Sequence, residues 1–418
     1  MNQVGRKLRE LRKKMQLTQG DLAEGICNRS YISQIEKGDV IPSPEILEQL
    51  AVRLEAQLSD LWVDTEHPQL SKMEIENAIR NVINSVESHD WEQIRKWLTK
   101  LQSIHLNSEG RAVYLWAKGI ISQYDQDFEA SERYYLESIE EARELGDPLT
   151  LIRSLTSLGA MYSKTTHPQK AVSYINEALR LANEHEISGL IRISIYHTLG
   201  VMHGTLGEYN SAIEQLQQAV SLNRSYRTFY KIEEIFLSIA VCKYYLKEYS
   251  EAERYNMLAL DIIKLNPSPA IEASIRNNLG MLYRDIRRYD LAIRSLEQSI
   301  DISIACDRPH STYNAMVELA LTYLRTGRHQ EAAQLCVDVL AKSQSEYNRA
   351  EAHLVFAEVL HDTGDGEQAL MHLEQALDYF TRHGKKPSLT VAYRLLAKIN
   401  LKFGHMHNSG FTYQAFLS

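Results

Sequence analysis

Glycine and proline are scarce in this chain, 19 and 9 of 418 residues, and no segment alternates polar with apolar residues between turn signals. Few breakers and no alternation exclude a β-sandwich or barrel and predict an all-α chain. No eighteen apolar residues run together, and the start MNQVGRKLRE has no apolar core. A membrane span and a signal peptide are therefore not expected, and the chain reads as cytoplasmic. The four cysteines, Cys27, Cys242, Cys306 and Cys336, lie far apart and form no C-x-x-C. They read as small buried residues in a reducing compartment, not as a disulfide frame.

Catalytic signatures are missing as well. The sequence holds no G-x-x-x-x-G-K-[ST], no G-x-S-x-G, no H-E-x-x-H and no glycine-rich strand-to-helix turn. His353, His361 and His372, or His405 with His407, do not give the i, i+4 pair that a helical zinc site favours. The expectation is no enzyme, no cofactor and no metal. A net charge of −8 argues against indiscriminate nucleic-acid binding by the whole molecule, so local charge has to be read segment by segment.

What the chain does have is a period. The stretch 275–300, IRNNLGMLYRDIRRYDLAIRSLEQSI, carries L-G-x-x-Y, a short polar turn of about four residues, and then Y-x-x-A-I-x-x-L. It reads as a helix hairpin, in which Gly280 and Ala292 allow two helices to approach and Tyr283 and Tyr289 fill the wedge between them. The small residue recurs as Gly119, Gly159, Gly200, Ala240, Gly280, Ala320, Ala357 and Ala397, at steps of 40, 41, 40, 40, 40, 37 and 40 residues. A second small residue follows each by twelve, from Ser131, Ala171 and Ala212 through Ala252, Ala292, Ala332 and Ala369 to Ser409. So fixed a period identifies a solenoid, because one hairpin cannot bury its own apolar face. In LGVMHGTLGEYNSAIEQLQQA the spacing resembles the tetratricopeptide repeat, with a period longer than that family's usual one.

The first sixty-five residues differ. Residues 4–14 form a basic amphipathic helix with Val4, Leu8 and Leu11 on one face and Arg6, Lys7, Arg9, Arg12, Lys13 and Lys14 largely on the other. Thr18 caps a short helix, and Asn28 caps a second one that runs to Lys37 before Gly38 ends it. A helix begins near Pro44, with Ile46, Leu47, Leu50 and Leu54 closing the core, and Leu58, Leu61 and Trp62 finish the domain. Residues 1–40 carry eight Lys and Arg against five Asp and Glu, a local basic excess in an acidic chain. Two short helices joined by a tight turn describe a helix-turn-helix, whose second helix enters the major groove. Gln19, Asn28, Arg29, Ser30, Tyr31, Ser33, Gln34 and Lys37 are the candidate DNA-binding residues. Arg and Gln suit base edges, while the others suit phosphates. Ile35, Glu36 and Gly38 read as structural. The stretch 17–51 is similar to the Xre and lambda-repressor class, matching its L-T-Q-x-x-L-A and S-x-I-S-x-I-E-x-G.

The expected organisation is a five-helix helix-turn-helix domain over 1–65, a linker over 66–70 and a repeat domain over 71–418 of about nine hairpins. The first hairpin, over 71–104, is degenerate. In the tetratricopeptide family, which this array resembles, right-handed stacking leaves a concave groove lined by first-helix residues. That register, three before each small position, selects Thr156, His197, Asn277 and their equivalents; one turn earlier it selects Arg153, Ser194, Glu234, Ser274, Asn314 and Glu351. An extended peptide needs partners that both donate and accept, which favours Asn277 and Asn314; Arg153, His197, Glu234 and Arg284 are further candidates.

An Xre-like domain followed by such repeats resembles the peptide-pheromone receptors of Gram-positive bacteria, the NprR and PlcR type within the Rap, Rgg, NprR, PlcR and PrgX superfamily. The resemblance implies a quorum-sensing transcriptional regulator that binds double-stranded operator DNA as a homodimer or higher homo-oligomer. A short signalling peptide in the groove would alter its oligomeric arrangement. Two other functions stay open at this point. One is a Rap-like regulator that also binds a response regulator and promotes its dephosphorylation; the other is a DNA-tethered scaffold for a protein partner.

Overall fold

The computed structural model describes residues 3–40, 42–56, 72–102, 106, 108–163, 168–265 and 267–403. All regular structure among them is helical, and the chain groups into two compact units, Met1–Gly110 and Arg111–Ser418. The first unit holds α1 (Gln3–Lys14), α2 (Gln19–Ala23), α3 (Arg29–Lys37), α4 (Pro44–Arg53), α5 (Lys72–Glu87) and α6 (Trp91–Gln102). The pair α5 and α6, read from sequence as a degenerate repeat, thus falls within this unit. The expected linker and Leu58, Leu61 and Trp62 lie outside the described residues.

Local chemistry explains the short helices. At α2 the Asp21 amide donates to Thr18 Oγ1 (3.2 Å) and the Thr18 amide to Asp21 Oδ2 (2.7 Å), a reciprocal cap for a helix too short to form alone. At α3 Asn28 Oδ1 accepts from the Tyr31 amide at 2.8 Å, and Gly38 ends the helix at φ +85°. Val4, Leu8, Leu22, Ile32, Ile35, Leu47, Leu50 and Leu54 form the core. A Cβ on Gly5 would stand 2.0 Å from the Ile35 carbonyl oxygen, so α1 and α3 cross with backbones in contact and no larger residue fits. The helical period gave no hint of this crossing.

One expectation is corrected here. Arg12 does not sit on the solvent face of α1; it is buried and forks onto Glu36, Nε to Oε1 at 2.5 Å and Nη2 to Oε2 at 2.9 Å. Its Nη1 donates to the Leu17 carbonyl at 2.8 Å. Burial would raise the Glu36 carboxyl, but hydrogen bonds from Arg12 and Gln19 hold it below its ordinary range. A periodicity argument counts an arginine as polar and places it outside; a bidentate partner lets it stay inside.

The second unit is a row of hairpins: α7 (Ser108–Tyr124) with α8 (Phe128–Leu145), α9 (Pro148–Ser163) with α10 (Pro168–Glu184), α11 (Leu190–Thr205) with α12 (Tyr209–Tyr226), and α13 (Ile232–Tyr245) with α14 (Tyr249–Leu265). It continues through α15 (Pro269–Asp285) with α16 (Tyr289–Ala305), α17 (Pro309–Arg325) with α18 (His329–Lys342), and α19 (Glu346–Thr363) with α20 (Gly366–Arg382), and ends on α21 (Lys386–Phe403). From α9 onward each first helix packs on its own second helix and on the first helix of the next hairpin. The first helices therefore form a continuous wall.

The small positions work as expected, with one exception. A Cβ on Gly119, Gly159, Gly200 or Gly280 would lie 2.4–2.5 Å from Tyr135, Ile175, Leu216 or Leu296. Each partner stands sixteen residues on, one turn past the second small residue. Ala397 is exposed, and its expected partner Ser409 lies outside the described residues.

The turns share one geometry. The seventh residue after the small one has positive φ in Gln126, Gly207, Lys247, Arg287, Gly327 and Gly364. At Arg287 the amide bonds to the Arg284 carbonyl (2.9 Å) and the next amide to the Tyr283 carbonyl (2.8 Å), the paired closure of a Schellman end. The turn is three residues long there. Tyr283 is also corrected: its hydroxyl donates to Glu253 Oε1 at 2.8 Å, so the ring ties its hairpin to the preceding one, as Tyr162 does with Glu132.

Helix separation should thus be set jointly by the small residue and its partner at +16. Ala240 and Ala320 face Asn256 and Cys336 in that register, smaller partners than the glycines have, whereas Ala357 keeps Leu373. Gly280→Ala should cost about 1–3 kcal/mol by overpacking against Leu296. Adding Leu296→Cys, which reproduces the Ala320 and Cys336 pair, should recover at least about 1 kcal/mol of the summed single effects. Urea unfolding of both single variants and the double variant measures the coupling; strict additivity would refute it.

Candidate nucleic-acid and ligand surfaces

The capping of α3 decides what that helix can offer. Asn28 is committed to its cap, Tyr31 is half-buried against the core, and Gln19 Nε2 donates to Glu36 Oε2 at 2.9 Å. Arg29, Ser30, Gln34 and Lys37 are exposed and Ser33 is half-buried. None of these five makes a side-chain hydrogen bond or ion pair among the described residues. Of the eight expected DNA-binding residues, the structure thus gathers five uncommitted ones along one short helix. Asn28 and Gln19 stand at its edge in supporting contacts. Glu36, read as structural, joins Arg12 to Gln19.

The first-helix wall of the second unit is bound together by polar contacts between successive first helices. Trp116 Nε1 donates to Ser157 Oγ at 2.9 Å, the Tyr244 hydroxyl to Asp285 Oδ2 at 2.6 Å, and Arg325 forks onto Glu358 at 3.0 and 3.2 Å. Arg284 belongs to the same ladder: Nε reaches Asp285 Oδ1 at 3.1 Å and Nη1 meets Glu318 Oε2. Burial opposes the charge on Arg284, but Glu318 and Asp285 hold its pKa above the ordinary value. This candidate is engaged in pinning two hairpins together.

The other candidates vary in commitment. Arg153 lies with Cζ 5.8 Å from the centroid of the Trp116 ring, His197 is buried, and Glu234 is half-buried. Asn277 is only 9% exposed, yet its Oδ1 accepts no hydrogen bond and its Nδ2 has only a 3.7 Å approach to Met281 Sδ. Asn314 is half-buried on the next first helix, and its side chain makes no hydrogen bond among the described residues. Asn277 and Arg284 are seven residues apart on one stripe of α15, so the wall brings an unsatisfied amide and a pinned cation to one face.

Glu351, in the same row as Asn314, accepts from Ser388 Oγ at 2.8 Å and has no ion-pair partner among the described residues. Burial pushes its carboxyl up to about 7; Ser388 opposes the rise and Glu318 adds to it. The histidines separate. His353 and His372 stand Nδ1 to Nδ1 at 2.7 Å, whereas His361 meets Asp362, and among the described residues no group of three His, Cys, Asp or Glu could hold a metal. A cleft of about 340 Å³ lined by Gln217, Arg224, Phe236, Arg254 and Tyr255, among others, contains none of the candidates.

Comparison with known proteins adds to this geometry. Residues 8–61 match the helix-turn-helix family. Residues 110–184 and 231–305, 193–226, and 312–353 match tetratricopeptide-repeat families, and 353–415 match anaphase-promoting complex subunit 5. Response regulator aspartate phosphatase J of Bacillus subtilis (strain 168) is 25% identical over 215 residues, 51% of this chain and 54% of that protein. The match thus spans about half of that relative. Transcriptional activator NprA of Geobacillus stearothermophilus is 20% identical over 280 residues, 67% of this chain and 67% of that one. The apo form of the quorum sensor NprR from B. thuringiensis has a TM-score of 0.63 at 17% identity, covering 83% of this chain and 98% of that structure, a likeness of fold. No helix among the described residues is long and apolar enough to cross a membrane. A helix-turn-helix match thus stands ahead of tetratricopeptide-repeat matches, and the fold is shared with the NprR structure.

Proposed function

We propose that this chain is a cytoplasmic, peptide-responsive transcriptional regulator. In this reading α3 enters the major groove of double-stranded operator DNA, Arg29 and Gln34 reading base edges while Ser30, Tyr31, Ser33 and Lys37 hold phosphates and Asn28 and Gln19 position the helix. A short signalling peptide lies along the first-helix wall. The observation that carries this is Asn277: a nine-tenths buried amide oxygen with no donor is costly, about 1–3 kcal/mol, and a peptide N–H would satisfy it. Asn314, one helix on, is the second such partner, with Arg153, His197 and Glu234 along the row and Arg284 fixing its curvature. The relatives' names, a transcriptional activator and a quorum sensor, support the same reading. The peptide acts by differential affinity, biasing the arrangement of a homodimer or higher homo-oligomer and with it operator binding.

A second reading has its own support, since one relative is named a response regulator aspartate phosphatase. Incubation with a phosphorylated receiver domain separates the two, because an unchanged phosphate lifetime removes it.

Native mass spectrometry of the full chain with a fraction of short peptides from the producing culture tests the first reading. A bound mass of a few residues with a change of oligomeric state is expected, and Asn277→Ala should weaken binding about 10- to 100-fold. No adduct would shift the reading to a DNA-tethered scaffold for a protein partner.

Glu351 gives an independent check. Its carboxyl titrates near 7 in the folded chain and near 4.5 when unfolded, so the folded state binds the proton more tightly. Stability then falls as pH rises from about 4.5 through 7. Glu351→Gln removes that slope: at pH 8 the variant should be more stable than the parent by about 1–3 kcal/mol, and at pH 4.5 equal to it. A stability gap that does not change between those pH values would show that Glu351 is not the titrating group.

A further inference from the structure

Packing contacts between the helices of the second unit join elements that are neighbours in the hairpin order. Among the described residues, a side-chain contact between the first and sixth hairpins departs from that rule. The Arg308 guanidinium carbon stands 5.1 Å from the centroid of the Tyr124 ring, although the two residues are 184 positions apart. Tyr124 ends α7, the first helix of the first hairpin, and Arg308 caps α17, the first helix of the sixth. The row of first helices has therefore turned far enough for the start of the sixth to come back to the end of the first.

Both residues are placed for this contact. Tyr124 is 37% exposed, a large ring standing at the helix terminus. Asp307 holds φ +51°, a left-handed conformation that a non-glycine residue adopts at a cost, and it directs the chain into Arg308. Arg308 has no carboxylate partner among the described residues, so its charge faces the ring alone.

We propose that Arg308 and Tyr124 form a clasp that holds the sixth first helix to the first and opens to admit a ligand. Admission of a ligand rests on the proposed peptide-binding function; the clasp itself does not. A partly exposed cation–π contact shifts a two-state population by only about 2- to 5-fold, weak enough to open on its own. Opening needs no hairpin to unfold. Each of the interfaces between the first and sixth hairpins contributes a small rotation, and in a solenoid those rotations add up at the ends.

Spin labels at Glu129→Cys and Asp301→Cys, exposed positions on the first and fifth hairpins beside the clasp, in a Cys27→Ser/Cys306→Ser background of the full chain, report the distance across it by double electron–electron resonance. The parent should give one narrow distribution. Arg308→Ala and Tyr124→Leu should each add a longer, broader population, while Arg308→Lys, which keeps a cation over the ring, should retain the narrow one. Identical distributions in the parent, Arg308→Ala and Tyr124→Leu would overturn the clasp.

The association rate of whichever synthetic peptide matches the mass captured from culture tests the gate. It should rise about 2- to 5-fold in Arg308→Ala, and an unchanged rate together with altered distances would overturn gating while the clasp stands. If no peptide binds the parent, the proposed function and the gate fail together, and the distance measurement alone decides the clasp.

Discussion

The spacing between the two helices of a hairpin governs the second unit. At Gly280 the backbone of α15 comes so near Leu296 that a single methyl group would overlap it, and the same holds where Gly119, Gly159 and Gly200 meet Tyr135, Ile175 and Leu216. Close approach brings the paired helices' dispersion contacts to native density. It also fixes the angle at which the next hairpin is presented. Because seven such settings act in series from α7 to α20, a modest change at one is carried to every later hairpin. The left-handed turns at Arg287, Lys247 and Gln126 persist without glycine for this reason: the packing of both helices dictates the turn.

A second layer of chemistry lies on the first helices. Contacts such as Arg284 with Glu318 and Arg325 with Glu358 join one hairpin to the next through charge, not apolar area. Charged hydrogen bonds are directional, so they hold a register that apolar surfaces alone would leave loose. Burial of Arg284 makes its partners obligatory. The amide of Asn277, on the same stripe, lies outside that network, as does Asn314 on the next helix. Amides left over at Asn277 and Asn314, beside cations already paired at Arg284 and Arg325, suit a ligand of neutral backbone, since they supply hydrogen bonds without an ion pair having first to break.

Much of this was legible in the sequence. The forty-residue period, the caps at Thr18 and Asn28 and the terminator Gly38 follow from local rules, and the structure has all of them. Arg12 and Tyr283 were misplaced because periodicity assigns a residue to a face without knowing its partner. Glu36 for Arg12 and Glu253 for Tyr283 are chosen by packing, at separations of 24 and 30 residues. The complement at +16 was present in the sequence at fixed spacing and could have been read by comparing side-chain volumes across the hairpins. The contact of Arg308 with Tyr124 had no such signal. It depends on the sum of several small rotations, and no local pattern encodes a sum.

The two units use the same device at different scales. In the first, Gly5 lets α1 touch the Ile35 carbonyl while Arg12 and Glu36 lock the crossing, and among the described residues no buried side-chain polar atom there lacks a partner. Such a body presents α3 as a rigid whole, as the proposed reading of base edges would require, since hydrogen-bond geometry fails within a fraction of an ångström. In the second, the same glycine contact is repeated, but the helices of each crossing pack mainly on those of its neighbours. Rigidity then holds within a hairpin and compliance accumulates along the row. The proposed regulator would need both properties, and one packing rule supplies them, rigid where the helices close on one another and compliant where they only follow in line.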